Sequence, residues 1–63
     1  MNQTRILRMP EVVSRTGLSR STIYQRISEG TFPAQVKLGE RSVGWSSIEV
    51  DRWIEVTLSK AGA

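Results

Sequence analysis

Apolar positions fall along the chain in short, well-punctuated groups. Arg5-Ile6-Leu7-Arg8 holds an apolar pair between charges, which reads as a short first strand. Pro10 suits the first position of a helix, where its missing N–H costs nothing, and Glu11 suits the positive end of the helix dipole. Met9, Val12, Val13 and Thr16 recur at spacings of three and four, so a helix is expected over 10–16. Gly17 fits the left-handed position that closes it, with Leu18 packing behind. Ser19 is a good N-cap for a second helix over 20–29, held by Ile23 and Ile27 one turn apart and stopped by Gly30. The connection Thr16-Gly17-Leu18-Ser19 is that of a helix-turn-helix.

Phe32-Pro33 turns the chain to extended conformation. Val36 and Leu38 then alternate with polar neighbours, as do Val43 and Trp45. The two runs predict a β-hairpin with Gly39, Glu40 and Arg41 at its tip. A two- or four-residue loop puts Val36, Leu38, Val43 and Trp45 on one face, with Lys37 and Ser42 turned away from the core. Ser46 and Glu49 have the spacing of a capping box, and Trp45 and Val50 that of a hydrophobic staple. Val50, Trp53, Ile54, Thr57 and Leu58 continue as a helical apolar stripe, so a third helix is expected from 47 to about 59, with Ala61-Gly62-Ala63 fraying. The order is strand, helix, helix, hairpin, helix: mainly α with a small β-hairpin, the plan of a winged helix-turn-helix.

Composition narrows what such a domain can do. At 63 residues the chain is one small domain, 1–63, with an ordered core over about 5–59. It has no Cys and no His, which removes disulfides, thiolate metal sites and an imidazole base. Eight Ser and five Thr lack a His partner, and no Gly-rich phosphate loop appears, so no enzyme, cofactor or small-molecule substrate is expected. Glu49, Asp51 and Glu55 read as helix-end charge and solvated face. The longest apolar run is two residues and the N-terminus lacks a signal-peptide pattern, so a cytoplasmic protein without a membrane segment is expected.

Charge is uneven. Residues 1–42 carry seven basic and three acidic side chains, residues 43–63 two and three. The basic part suits a polyanion. With Ile23 and Ile27 taken as the buried direction, Ser21, Gln25 and Ser28 point furthest outward, flanked by Thr22, Glu29 and Tyr24. Ser19, Arg20, Ser21, Thr22, Tyr24, Gln25 and Arg26 are the candidate contacts of a recognition helix. Arg pairs with guanine and Gln with adenine in the major groove, while hydroxyls and helix-start N–H groups suit phosphates. Lys37, Gly39, Arg41 and Ser42 are the candidate contacts of the wing. The competing readings are a capped, solvated helix for the first set and a charge-protected edge strand for the second.

The stretches Arg5-Ile-Leu-Arg-Met-Pro-Glu-Val-Val13, Thr16-Gly-Leu-Ser-Arg-Ser-Thr-Ile-Tyr24 and Glu29-Gly-Thr-Phe-Pro33 together resemble the AlpA-type phage regulators. So do Val36-Lys-Leu-Gly39, Val43-Gly-Trp45 and Glu49-Val-Asp-Arg-Trp-Ile54. The resemblance implies a MerR-like or excisionase-like winged helix-turn-helix from a prophage or mobile element. It implies sequence-specific binding of double-stranded DNA, regulating integrase or excision genes. The alternative within that resemblance is an excisionase that bends DNA at an attachment site. An alternative of another class is a small protein-interaction module, and a third is an RNA binder, which would need exposed aromatics on a sheet. A module of this size covers about 600–1,000 Å² on DNA, so cooperative self-association of copies on repeated sites is expected.

Overall fold

The computed structural model describes residues 4–62. The elements follow as β1 (Ile6–Leu7), α1 (Met9–Thr16), α2 (Arg20–Glu29), β2 (Val36–Lys37), β3 (Val43–Ser46) and α3 (Ser47–Gly62). The three strands form one antiparallel sheet in the order β1-β3-β2. The architecture is mainly α with a small hairpin, compatible with a winged helix-turn-helix.

Local signals set the helix ends. α1 starts one residue before the expected Pro10, so the proline sits in its first turn. There the Arg8 N–H donates to Glu11 Oε1 at 3.2 Å. Gly17 closes α1 with φ 74°, its N–H reaching Val13 O at 2.8 Å. α2 spans Arg20–Glu29 between Ser19 and Gly30, which has φ 78°. The Thr31 N–H then bonds Arg26 O at 2.9 Å, satisfying a carbonyl that the helix end would leave open.

The core gathers Leu7, Val12, Ile23, Phe32, Trp45 and Val50, one or more from every element but β2 and from the loop before it. Met9, Val13, Leu18, Ile27, Val43, Trp53 and Ile54 pack against it. Phe32, read from sequence as part of a chain-breaking pair, is buried and meets the Trp53 ring edge-on at a centroid distance of 4.9 Å. The two indoles fasten the same loop: Trp45 Nε1 donates to Pro33 O (3.0 Å) and Trp53 Nε1 to Thr31 O (2.7 Å). Trp45 and Val50 are both buried, as the staple requires. Of the capping box, the Glu49 N–H reaches Ser46 Oγ at 3.4 Å. Ser47 is the buried polar side chain of the core region; its Oγ accepts from the Arg5 N–H (2.8 Å) and its N–H donates to Arg5 O (2.9 Å), tying β1 to the start of α3.

Two expectations are corrected. The hairpin pairs Val36 with Gly44 and Lys37 with Val43, one residue away from the expected register. Its tip holds three residues, Gly39–Arg41, closed by Leu38 N–H to Ser42 O at 2.7 Å. An odd loop shifts β2 by one position, and a shift of one reverses its faces. Val36 and Leu38 therefore join Ile6 on the outer face, 52%, 40% and 57% exposed, and Lys37 shares the inner face with Val43. Ile6 and Leu38 close over Gly44, where an added Cβ would lie 2.5 Å from Ile6 Cγ2 and 3.1 Å from Leu38 Cδ1. The second correction is at the other end. α3 continues through Ala61 and Gly62 rather than fraying after 59, while Ala63 lies outside the described residues. The end of its apolar stripe has nothing to pack on: Thr57 and Leu58 are exposed.

Candidate nucleic-acid interface

The candidate surface begins with the Ser19 cap. Ser19 Oγ accepts from the Thr22 N–H (3.2 Å) and donates to Thr22 Oγ1 (2.8 Å), and it lies 3.4 Å from Ser21 Oγ. Hydroxyls thus crowd the start of α2, and no acidic side chain occupies its first turn. The partial positive charge of the helix end stays unopposed there. Ile23, fully buried, and Ile27, half-buried, fix the rotation of the helix. That rotation leaves Arg20, Ser21, Tyr24, Gln25 and Ser28 exposed on one side. Tyr24 is 37% exposed, so its ring leans on the protein while part of it meets solvent.

Some of these groups are already engaged. Gln25 Nε2 donates to Glu29 Oε2 at 3.3 Å, and Ser28 Oγ donates to Gln25 O at 2.7 Å. Gln25 must leave Glu29 before its amide can pair with a base edge. Thr22 is half-buried and accepts the Ser19 hydroxyl, so it serves the cap. Arg26 stands apart from the exposed face. It is half-buried and lines a cleft against Trp53 and Leu58 of α3, and its Nε has no hydrogen-bond partner among the described residues. Arg26, a candidate contact of the recognition helix by sequence, thus lies toward α3 and not among the exposed side chains of α2.

In the hairpin, Lys37, Gly39, Glu40 and Arg41 are exposed and Ser42 is half-buried. The Ser42 carbonyl accepts both Leu38 N–H and Gly39 N–H, at 2.7 and 3.3 Å, which holds the tip closed. The remaining cations separate into two kinds. Arg5 pairs with Glu11 at 2.9 Å and Arg15 with Asp51 at 2.6 Å. Arg8, Arg20, Arg26, Lys37, Arg41, Arg52 and Lys60 make no ion pair among the described residues. Glu11 has its pKa lowered, first by the Arg8 N–H and then by the Arg5 guanidinium, which outweigh the opposing effect of desolvation. Among the described residues no three His, Cys, Asp or Glu side chains gather as metal ligands, and no helix is long and apolar enough to cross a membrane.

An outward-facing hydroxyl, amide and guanidinium set on the second helix of a tight helix-turn-helix fits the family whose sequence pattern the chain matches. Residues 5–58 match the family described as "Prophage CP4-57 regulatory protein (AlpA)". The chain belongs to the AlpA family. Two relatives place it further. It is 52% identical over 54 residues to "Uncharacterized protein ORF88" of Enterobacteria phage P4, covering 86% of this chain and 61% of that protein. It is 43% identical over 56 residues to the "DNA-binding transcriptional activator AlpA" of Escherichia coli K12, covering 79% of this chain and 80% of that one. The AlpA match takes in both helices of the helix-turn-helix, the hairpin and most of α3.

Proposed function

We propose that this AlpA-family chain binds double-stranded DNA in a sequence-specific, non-catalytic manner and regulates integrase or excision genes of a prophage or mobile element. The observation that carries the reading is the exposed side of α2, where Arg20, Ser21, Tyr24 and Gln25 surround a helix start free of acidic residues. α2 lies in the major groove; Arg20 and Gln25 read base edges, and Ser19, Ser21 and Tyr24 hold phosphates. Lys37 and Arg41, with Gly39 and Ser42 shaping the tip, engage the adjacent backbone. The protein acts in the cytoplasm, and copies bind cooperatively at repeated sites because one module covers a short stretch of duplex. The activator name carried by the E. coli relative favours transcriptional regulation over the excisionase reading.

The test is duplex binding against salt. With about four to six phosphate contacts, log K falls against log salt with a slope of about −4 to −5. Arg20→Ala costs about 1–3 kcal/mol and relaxes preference at one base position, whereas Lys37→Ala weakens all sequences alike and flattens the slope by about one. Binding that is insensitive to salt and to both substitutions refutes the proposal. Footprinting on DNA flanking the gene separates regulator from excisionase: the first protects a promoter, the second an attachment site.

A further inference from the structure

The C-terminal half of α3 borders a cleft that the DNA-binding reading leaves unused. The cleft lies between these turns, the α1–α2 connection and Arg26, and has a volume of about 640 Å³. Its apolar surface includes Leu18, Trp53 and Leu58, and Leu58 is 65% exposed. Arg15, Arg26 and Lys60 also line it, and no carboxylate does. Arg15 is matched by Asp51, but Arg26 and Lys60 make no ion pair among the described residues. Arg26 Nε is shut off from solvent without an acceptor. Arg26 as a whole is half-buried, so an incoming carboxylate can pair with the outer nitrogens of its guanidinium.

We infer that this cleft docks an acidic, amphipathic helical segment of a partner protein. Apolar side chains spaced one turn apart would cover Leu18, Trp53 and Leu58, while carboxylates on the flanks meet Arg15, Arg26 and Lys60. Charge complementarity selects this occupant over two others. A DNA backbone satisfies the cations but leaves the apolar floor uncovered. A second copy offers the exposed group Ile6, Val36 and Leu38, which adjoins Lys37 and Arg41 of the same sign as the cleft, and otherwise the single side chains Tyr24 and Val56, neither of which can cover Leu18, Trp53 and Leu58 together. The inference goes beyond DNA binding and does not depend on it, since the cleft uses none of Arg20, Ser21, Tyr24 or Gln25.

The experiment titrates the full chain with a synthetic amphipathic peptide carrying leucines at helical spacing and glutamates elsewhere, and with a second peptide whose glutamates are replaced by lysines. Trp53 fluorescence and backbone amide shifts report binding. The acidic peptide moves the amides of Leu18, Trp53 and Leu58, and the lysine peptide binds at least about tenfold more weakly. Leu58→Glu and Lys60→Glu, both at exposed helical positions, each weaken the acidic peptide about tenfold or more and leave duplex binding unchanged. The inference is overturned if neither substitution affects the peptide, or if the acidic peptide fails to bind. It is also overturned if Leu58→Glu abolishes self-association seen by sedimentation, which would assign the cleft to a second copy. Loss of duplex affinity in Lys60→Glu as large as that in Arg20→Ala would assign it to DNA.

Discussion

Replacing Gly44 by alanine probes how the sheet is packed. Gly44 sits in the central strand β3, and an added methyl would meet Ile6 Cγ2 at 2.5 Å, Leu38 Cδ1 at 3.1 Å and Leu7 O at 3.1 Å. The two side-chain ends can swing aside because both residues are partly exposed. The Leu7 carbonyl cannot, since β1 is held to β3 opposite Trp45. Overpacking of this kind costs about 1–3 kcal/mol. Removing a glycine from a strand returns about 0.5–1 kcal/mol through the unfolded chain. The difference spans about 0–2.5 kcal/mol, and the backbone contact at Leu7 O, which cannot relax, puts the net loss at about 1–2 kcal/mol. In a domain of this size that lowers Tm by about 5–15 °C, which thermal unfolding followed by far-UV circular dichroism resolves easily. Adding Ile6→Ala removes the nearest clash, so the double variant recovers at least about 0.5 kcal/mol relative to the sum of the singles. In the other hairpin register Gly44 would lie opposite Lys37, clear of Leu38, but the contacts with Ile6 Cγ2 and Leu7 O come from β1 and would remain, so the substitution tests mainly the packing of β1 on β3. A Gly44→Ala protein as stable as the original therefore refutes the observed packing.

Two further substitutions test local physics. The folded-state pKa of Glu11 is lowered, chiefly by the Arg8 N–H, so its contribution is complete above the ordinary carboxyl value and fades as pH falls through the lowered one. Its carboxyl carbon should titrate by NMR below that of free glutamate, and Glu11→Gln should flatten this part of the acid side of the stability curve. Gly17→Ala meets no atom within 4 Å but must hold φ near 74°, so it should cost about 1–2 kcal/mol in urea unfolding with an unchanged m-value.

Where a signal is local, the sequence reads through to the structure. Ser19 and Gly30 bracket α2, and the element spans the same residues in both because a cap and a left-handed closure need only their own neighbours. The order of elements follows for the same reason. The hairpin register is different. Alternation within Val36–Leu38 is equally consistent with either face inward; Gly39–Arg41 is legible as the tip, but the register turns on whether the loop counts an even or an odd number of residues, and it is the odd, three-residue loop that forms. With so few aromatics, a place in the core for Phe32 is legible from composition, but its partners are not, because they are Trp53, twenty-one positions later, and a loop bonded to both indoles. On α2, the outward direction of Ser21 and Gln25 follows from Ile23 and Ile27 alone. The placement of Arg26 does not, because it depends on where α3 passes.

The central claim is that the outward side of α2 enters duplex DNA. It is tested most directly by titrating isotope-labelled protein with duplex from the region flanking its gene and following backbone and side-chain NH signals. If α2 enters the groove, the largest shifts fall at Arg20, Ser21, Tyr24 and the Gln25 side-chain amide, with a second group at Lys37–Ser42. Shifts confined to α3, or a duplex that leaves α2 unmoved, would contradict it.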